Sequence, residues 1–133
     1  MAIARSEAAF IGTNEGAGAA VAAGAVEAGS QVDVLGDNTS TGEATVFLVF
    51  TTPAAAITRG HITVVLYDIK ANAGYSYQMD VKVFNLVGAA GATTYKIRLG
   101  RYPVNRYARA DVKNQTDVAL ANVAVLYALE KFS

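Results

Sequence analysis

The chain has no cysteine and a single histidine among its 133 residues. Lack of cysteine excludes disulfides, thiolate metal sites and a cysteine nucleophile, and is compatible with a reducing cytoplasm. One histidine limits imidazole ligation to one donor and leaves a catalytic triad without its usual base unless His61 supplies it. His61 opens an apolar run beside Arg59 and Gly60, which favours a structural or solvent-facing role. No apolar run approaches the roughly 18 to 20 residues of a membrane-spanning helix, and Met1-Ala2-Ile3-Ala4-Arg5 has no long apolar stretch behind it. Neither a signal peptide nor a membrane anchor is expected.

The motifs of bond-making chemistry are equally sparse. Gly16-Ala17-Gly18 offers a G-x-G, but no clear strand precedes it and no Lys-Ser/Thr follows, as a phosphate cradle requires. No G-x-S-x-G elbow presents a serine. Asp33, Asp37 and Asn38 lack the alternating oxygen donors and closing Glu of a calcium loop, so they are read as a turn. Catalytic residues, bound metals and cofactors are therefore all expected to be absent, and an enzyme is not the expected class.

What the chain does have is apolar bulk. The hydrophobic fraction is 53% and the charged fraction 17%, enough for one folded domain that buries roughly two-thirds of its unfolded surface. From Ser30 onward, period-two alternation between turn residues predicts strands. In Tyr75–Val87, Tyr75, Tyr77, Met79, Val81 and Val83 share one face, and Ser76, Gln78, Asp80 and Lys82 the other. Tyr95, Ile97 and Leu99 alternate with Lys96 and Arg98. Thr45–Phe50 and His61–Ile69 are rich in β-branched and aromatic residues. Gln31–Leu35 and Arg106–Val112 are shorter candidates, and Asn122–Phe132 is read as a strand because an apolar helix there would have to be buried all round. Turn chemistry at Thr51-Thr52-Pro53, Lys70–Gly74, Gly88–Ala92, Gly100–Val104 and Asn114–Asp117 separates them. About seven or eight strands without βαβ alternation give an all-β fold, an antiparallel β-sandwich over 31–133, with the jelly roll as one of its forms.

Residues 1–30 differ in texture. They contain eleven Ala and five Gly, and Gly16–Gly29 offers little to bury, so this segment anchors itself weakly. Two readings stand side by side: an N-terminal arm lying across a neighbouring subunit, or a helix at Ala17–Glu27 packed on the domain. Ala favours the helix, and Gly18 and Gly24 oppose it. The arm reading implies that a chain lacking Met1–Gly29 still folds but no longer attaches to its partner.

The net charge of zero conceals a division. Glu7, Glu15, Glu27, Asp33, Asp37 and Glu43 face only Arg5 before residue 59, a balance of −5; the rest of the chain carries +5. The two halves complement each other either within the fold or between subunits. Lys96, Arg98, Arg101, Arg106 and Arg109, interleaved with Tyr95, Tyr102 and Tyr107, would also suit a nucleic-acid stripe, although Arg and Tyr are enriched in protein interfaces as well. The candidate protein-contact residues are Ala17, Ala20, Val21 and Val26 for close arm packing, with Arg101, Arg106 and Arg109 for charged contacts.

The run Asn105-Arg106-Tyr107-Ala108-Arg109-Ala110-Asp111-Val112-Lys113-Asn114-Gln115-Thr116, followed by Asn122-Val123-Ala124-Val125-Leu126-Tyr127-Ala128-Leu129-Glu130, resembles the R-Y-x-R-x-x-V-x-N-x-T … V-x-V-x-L hairpin of small β-sandwich proteins on tailed-phage heads. These are decoration, or cement, proteins. The resemblance implies a virion structural protein made in the host cytoplasm and placed on the capsid surface. It further implies a homo-oligomer, with a trimer favoured, whose partner is the major capsid protein or another shell protein; neither a cofactor nor a membrane is involved. The alternative is a self-assembling coat protein like those of RNA phages, with basic strands on the genome and C-terminal helices for dimerisation.

Overall fold

The computed structural model describes residues 3–12, 18–37, 41–69 and 76–132. Among them are ten strands and no helix: β1 (Ile3–Ile11), β2 (Ala19–Val21), β3 (Val26–Ala28), β4 (Val32–Asp33), β5 (Thr41–Thr51), β6 (His61–Ile69), β7 (Ser76–Asn85), β8 (Thr94–Val104), β9 (Tyr107–Asn114) and β10 (Leu120–Phe132). The pattern of β5 explains its place. Ala44, Val46, Leu48 and Phe50 form one apolar row turned inward, alternating with the half-buried Thr45 and Phe47 and with Val49, which is buried on the other face. In β6, five successive residues from Ile62 to Leu66 are buried, as an interior strand with both faces covered requires.

All pairings are antiparallel, and they form two sheets. Sheet I runs β1-β10-β5-β8, with β2 pairing the N-terminal end of β10. Sheet II runs β3-β9-β6-β7, with β4 pairing the start of β9. Because β1 and β2 lie end to end along β10, and β3 and β4 along β9, each couple occupies one strand position. The pairs then nest: β1 with β10, β3 with β9, β5 with β8, and β6 with β7. A long hairpin folded over on itself gives this order, which makes the sandwich a jelly roll.

Between the sheets lies one apolar core, in which Leu48, Phe50, Ile62, Val64, Leu66 and Val125 are at most 1% exposed. A second, smaller cluster of Val49, Ala124 and Leu126, flanked by Ala9 and Phe47, sits on the outer face of sheet I.

The expected arm of residues 1–30 is, over its described residues, part of both sheets. Ile3 to Ile11 pair with β10 from Phe132 back to Val125, and Phe10, Ile11 and Val21 belong to the core. The helix reading of Ala17–Glu27 gives way to β2, a turn closed by Ala25 N–H on the Ala22 carbonyl at 3.0 Å, and β3. Gly24 supplies that turn with φ +74°, a conformation costly for other residues. Small residues here serve close approach to the chain's own strands. A Cβ at Gly18 would overlap the Val123 carbonyl, and one at Gly29 the Ala110 carbonyl.

Asn114 fastens this region. Its fully buried side chain donates to the carbonyls of Val21 (2.9 Å) and Val118 (2.8 Å) and accepts from the Thr116 N–H (3.0 Å) and hydroxyl (2.6 Å). Its backbone bonds Ala25 and Gly24 across the β2–β3 turn. One amide thus joins the β2–β3 turn to the β9–β10 turn.

Candidate assembly surfaces

Part of the charge division closes within the chain. Arg106 grips Asp33 at 3.0 to 3.2 Å, Lys131 Nζ meets Asp37 at 2.9 Å, and Arg101 lies between Glu43 and Glu130, the latter at 2.7 Å. Asp33, Asp37 and Glu43, all before residue 59, thus meet bases after it, whereas Glu130 comes from the same part of the chain as Arg101. The Arg106 hydrogen bonds hold the Asp33 carboxyl below its ordinary range, and those that Arg101 donates to Glu43 and Glu130 push its own guanidinium up. Such exposed pairs fix geometry more than they add stability. Asp33 also accepts from the Gly36 N–H at 2.9 Å. That is the turn read from the sequence, although Asn38 lies outside the described residues.

The candidate contact residues divide in the same light. Ala17 lies outside the described residues, Ala20 is exposed on β2, Val21 is buried in the core, and Val26 is 53% exposed on β3. Arg101 and Arg106 are engaged as above. Arg109 reaches Asp111 at 3.5 Å and lies over the Tyr67 ring at 4.4 Å. The basic stretch forms no single stripe. Lys96, Arg98 and Arg101 stand opposite Val49, Phe47 and Thr45, on the outer face of sheet I. Arg109, opposite Tyr67, is on the outer face of sheet II, and Arg106 is in the β8–β9 turn.

The largest departure from the sequence reading is β7. Its register opposes Ile62 to Phe84, Val64 to Lys82 and Leu66 to Asp80. Since Ile62, Val64 and Leu66 point into the core, Asp80 and Lys82 turn inward and Val81 and Val83 turn out, 39% and 57% exposed. Phe84 packs against the core and Leu86 is buried in it; the two-residue period fixes the rest. A bulge opposite Leu66 and Tyr67 turns Met79 back to the core. The face expected to be uniform is therefore split; Tyr75 lies outside the described residues. Sequence alternation identifies the two faces of a strand but not which one the core takes.

The inward Asp80 accepts a hydrogen bond from the Tyr102 hydroxyl of β8 at 2.6 Å. This bond links the edge strands of the two sheets. Burial, followed by the Asp80 hydrogen bond, raises the Tyr102 phenol above its ordinary range, and the same bond lowers Asp80 against its own desolvation. The linkage has two opposite limbs. Asp80, with Asp33 and Asp117 lowered likewise, stabilises the fold above the ordinary 3.8 and loses that contribution as pH falls through the lowered values. Tyr102 stabilises it below 10.0 and loses that as pH rises further. Tyr102→Phe should therefore unfold at lower urea at neutral pH yet show a flatter decline above pH 10, read as urea midpoints across the pH series; an alkaline limb identical to wild type would contradict the assignment.

His61 is half-buried and lines an open depression of about 350 Å³ with Gly60, Val83, Asn85 and Val87. It is the only titratable group in that lining. Among the described residues no three His, Asp or Glu side chains gather in a metal-holding group.

The comparisons bear on the fold. No family model and no curated protein matches the chain. A chain in the structure of infectious bursal disease virus, Gx strain, superposes over 97% of this chain with a TM-score of 0.51 and 9% identity. At that identity the likeness is one of fold. This chain spans 32% of the viral one. A chain from the structure of disulfide-linked pili of Bacillus endospore appendages matches over 98% of this chain and 88% of its own, with a TM-score of 0.44 and 9% identity.

Proposed function

We propose that the chain is a virion structural protein, a jelly-roll subunit that works through surface contacts rather than through bond-making. The observation that carries this is the nested strand order around an interior filled with apolar side chains, a fold shared over 97% of its length with a chain of a virus structure. Jelly rolls serve as viral capsid domains and as lectin and cupin domains, so the shell assignment is a fold-level analogy supported by the resemblance of 105–130 to phage-head decoration proteins. Within it, the finer role is a cement subunit on the capsid surface, bound to the major capsid protein and adding stability through many modest buried contacts.

The self-assembling coat reading is less well supported. It calls for C-terminal helices and a basic sheet face, whereas 120–132 is a strand and the basic stretch is divided among the outer face of sheet I (Lys96, Arg98, Arg101), the outer face of sheet II (Arg109) and the β8–β9 turn (Arg106). Purified protein should show the absorbance ratio of protein alone; closed particles with nucleic-acid absorbance would favour the coat reading instead. Gold-labelled antibody against the chain should decorate the outside of virus particles from producing cells, and unlabelled particles would overturn the cement role.

A further inference from the structure

Strand β7 ends sheet II, with β6 as its only strand partner among the described residues. A free edge bearing exposed valines ordinarily invites indiscriminate strand pairing, and inward-pointing charges are one device that blunts it. Asp80 and Lys82 point inward here, but they have opposite signs and flank Val81. The Val81 N–H is bonded to the Asp80 carboxylate at 2.8 Å, a local bond that an incoming strand can replace.

We propose that β7 pairs antiparallel with β7 of a second copy, about a two-fold axis through Val81, making one continuous sheet of the two sheets II. A two-fold antiparallel pair places residue i opposite a residue equally far beyond the axis, on the same face of the sheet. With the axis at Val81, Asp80 stands opposite Lys82 of the other copy, and Lys82 opposite its Asp80. Val81 meets Val81, and the bulge at Met79 ends the regular pairing beyond Asp80. An axis at Asp80 sets two carboxylates opposite each other, and one at Lys82 two ammonium groups; both are disfavoured. An axis at Val83 sets Lys82 against Phe84. Charge complementarity thus selects a second copy in one register, and the Asp80–Lys82 contact of 3.5 Å within the chain is exchanged for two contacts between copies. This inference stands apart from the shell assignment, because it concerns the pure protein in solution.

Sedimentation velocity of the full chain tests it. The wild type should sediment as a dimer, and Val81→Lys, which alters only an exposed position, should weaken dimerisation about tenfold or more. Asp80→Lys and Lys82→Asp should each be monomeric, since each sets like charges opposite one another across the axis. Mixed in equal amounts, these two variants should form a heterodimer, because every pair is again complementary. A wild type that stays monomeric at about 100 μM overturns the proposal, as does a wild-type oligomer that Val81→Lys leaves intact or folded charge variants that fail to associate on mixing. Should Asp80→Lys not fold, because Tyr102 loses its acceptor, Val81→Lys and Lys82→Asp decide the matter.

Discussion

Asn114→Ala should cost the domain about 3–5 kcal/mol, measured as the shift in unfolding free energy from urea titration. The side chain is fully buried and uses both its donors and its acceptor oxygen. Truncation leaves the Val21 carbonyl without its side-chain donor and deprives the Thr116 N–H of its acceptor; Val118 keeps a bond from the Thr116 hydroxyl at 3.0 Å. Each buried polar group stranded in this way costs about 1–3 kcal/mol, and the vacated volume adds a cavity term. Asn114→Asp preserves the acceptor but removes both donors and brings an ionisable group into the core, so it should be at least as damaging near neutral pH. A loss below about 1 kcal/mol for Asn114→Ala would mean that water or a rearranged turn replaces the network. Thr116→Val removes one hydroxyl and should fall between wild type and Asn114→Ala.

The position of Asn114 was readable only as turn chemistry, because its partner at Val21 lies 93 residues away. The same distance in sequence explains what became of the first thirty residues. A stretch of Ala and Gly has little to bury by itself, and that much is legible. The neighbours that justify its small side chains, Val123 above Gly18 and Ala110 above Gly29, belong to the two last strands. Local reading served better where a strand carries its own evidence. Residues Thr45–Phe50 and His61–Ile69 lie within β5 and β6, and Asn122–Phe132 lies within β10. For β7, period two was visible, but Phe84 and Leu86 at the strand's end decided which face the core received. The charge division was visible too; only the fold brings Asp33 to Arg106 and Asp37 to Lys131.

The register of β1 makes removal of Met1–Gly29 the most damaging change of all: the truncated chain should fail to fold, rather than remain as an intact domain with a lost attachment. Its removal strips one edge from each sheet. Strand β10 loses the whole row from Ile3 to Ile11 and the short β2 pairing, while β9 loses β3. Among the described residues, the buried apolar side chains Phe10, Ile11 and Val21 go with them, and Phe10 leaves the Tyr127 ring on which it packs at 4.4 Å. Full burial of one such side chain is worth about 1.5–3 kcal/mol. Together the three account for much of the 5–15 kcal/mol that holds a domain of this size. The newly bared β10 would also present Val123, Ala124 and Val125, all at 0% exposure in the intact chain, beside an unpaired backbone edge prone to aggregation. Amide spectra of the truncated chain should lack dispersion, and its urea titration should lack a cooperative transition. A synthetic peptide of residues 1–29 added during refolding should restore both by supplying the missing strands. A truncated chain with a wild-type-like cooperative transition would show instead that β10 and β9 hold their sheets without these edges.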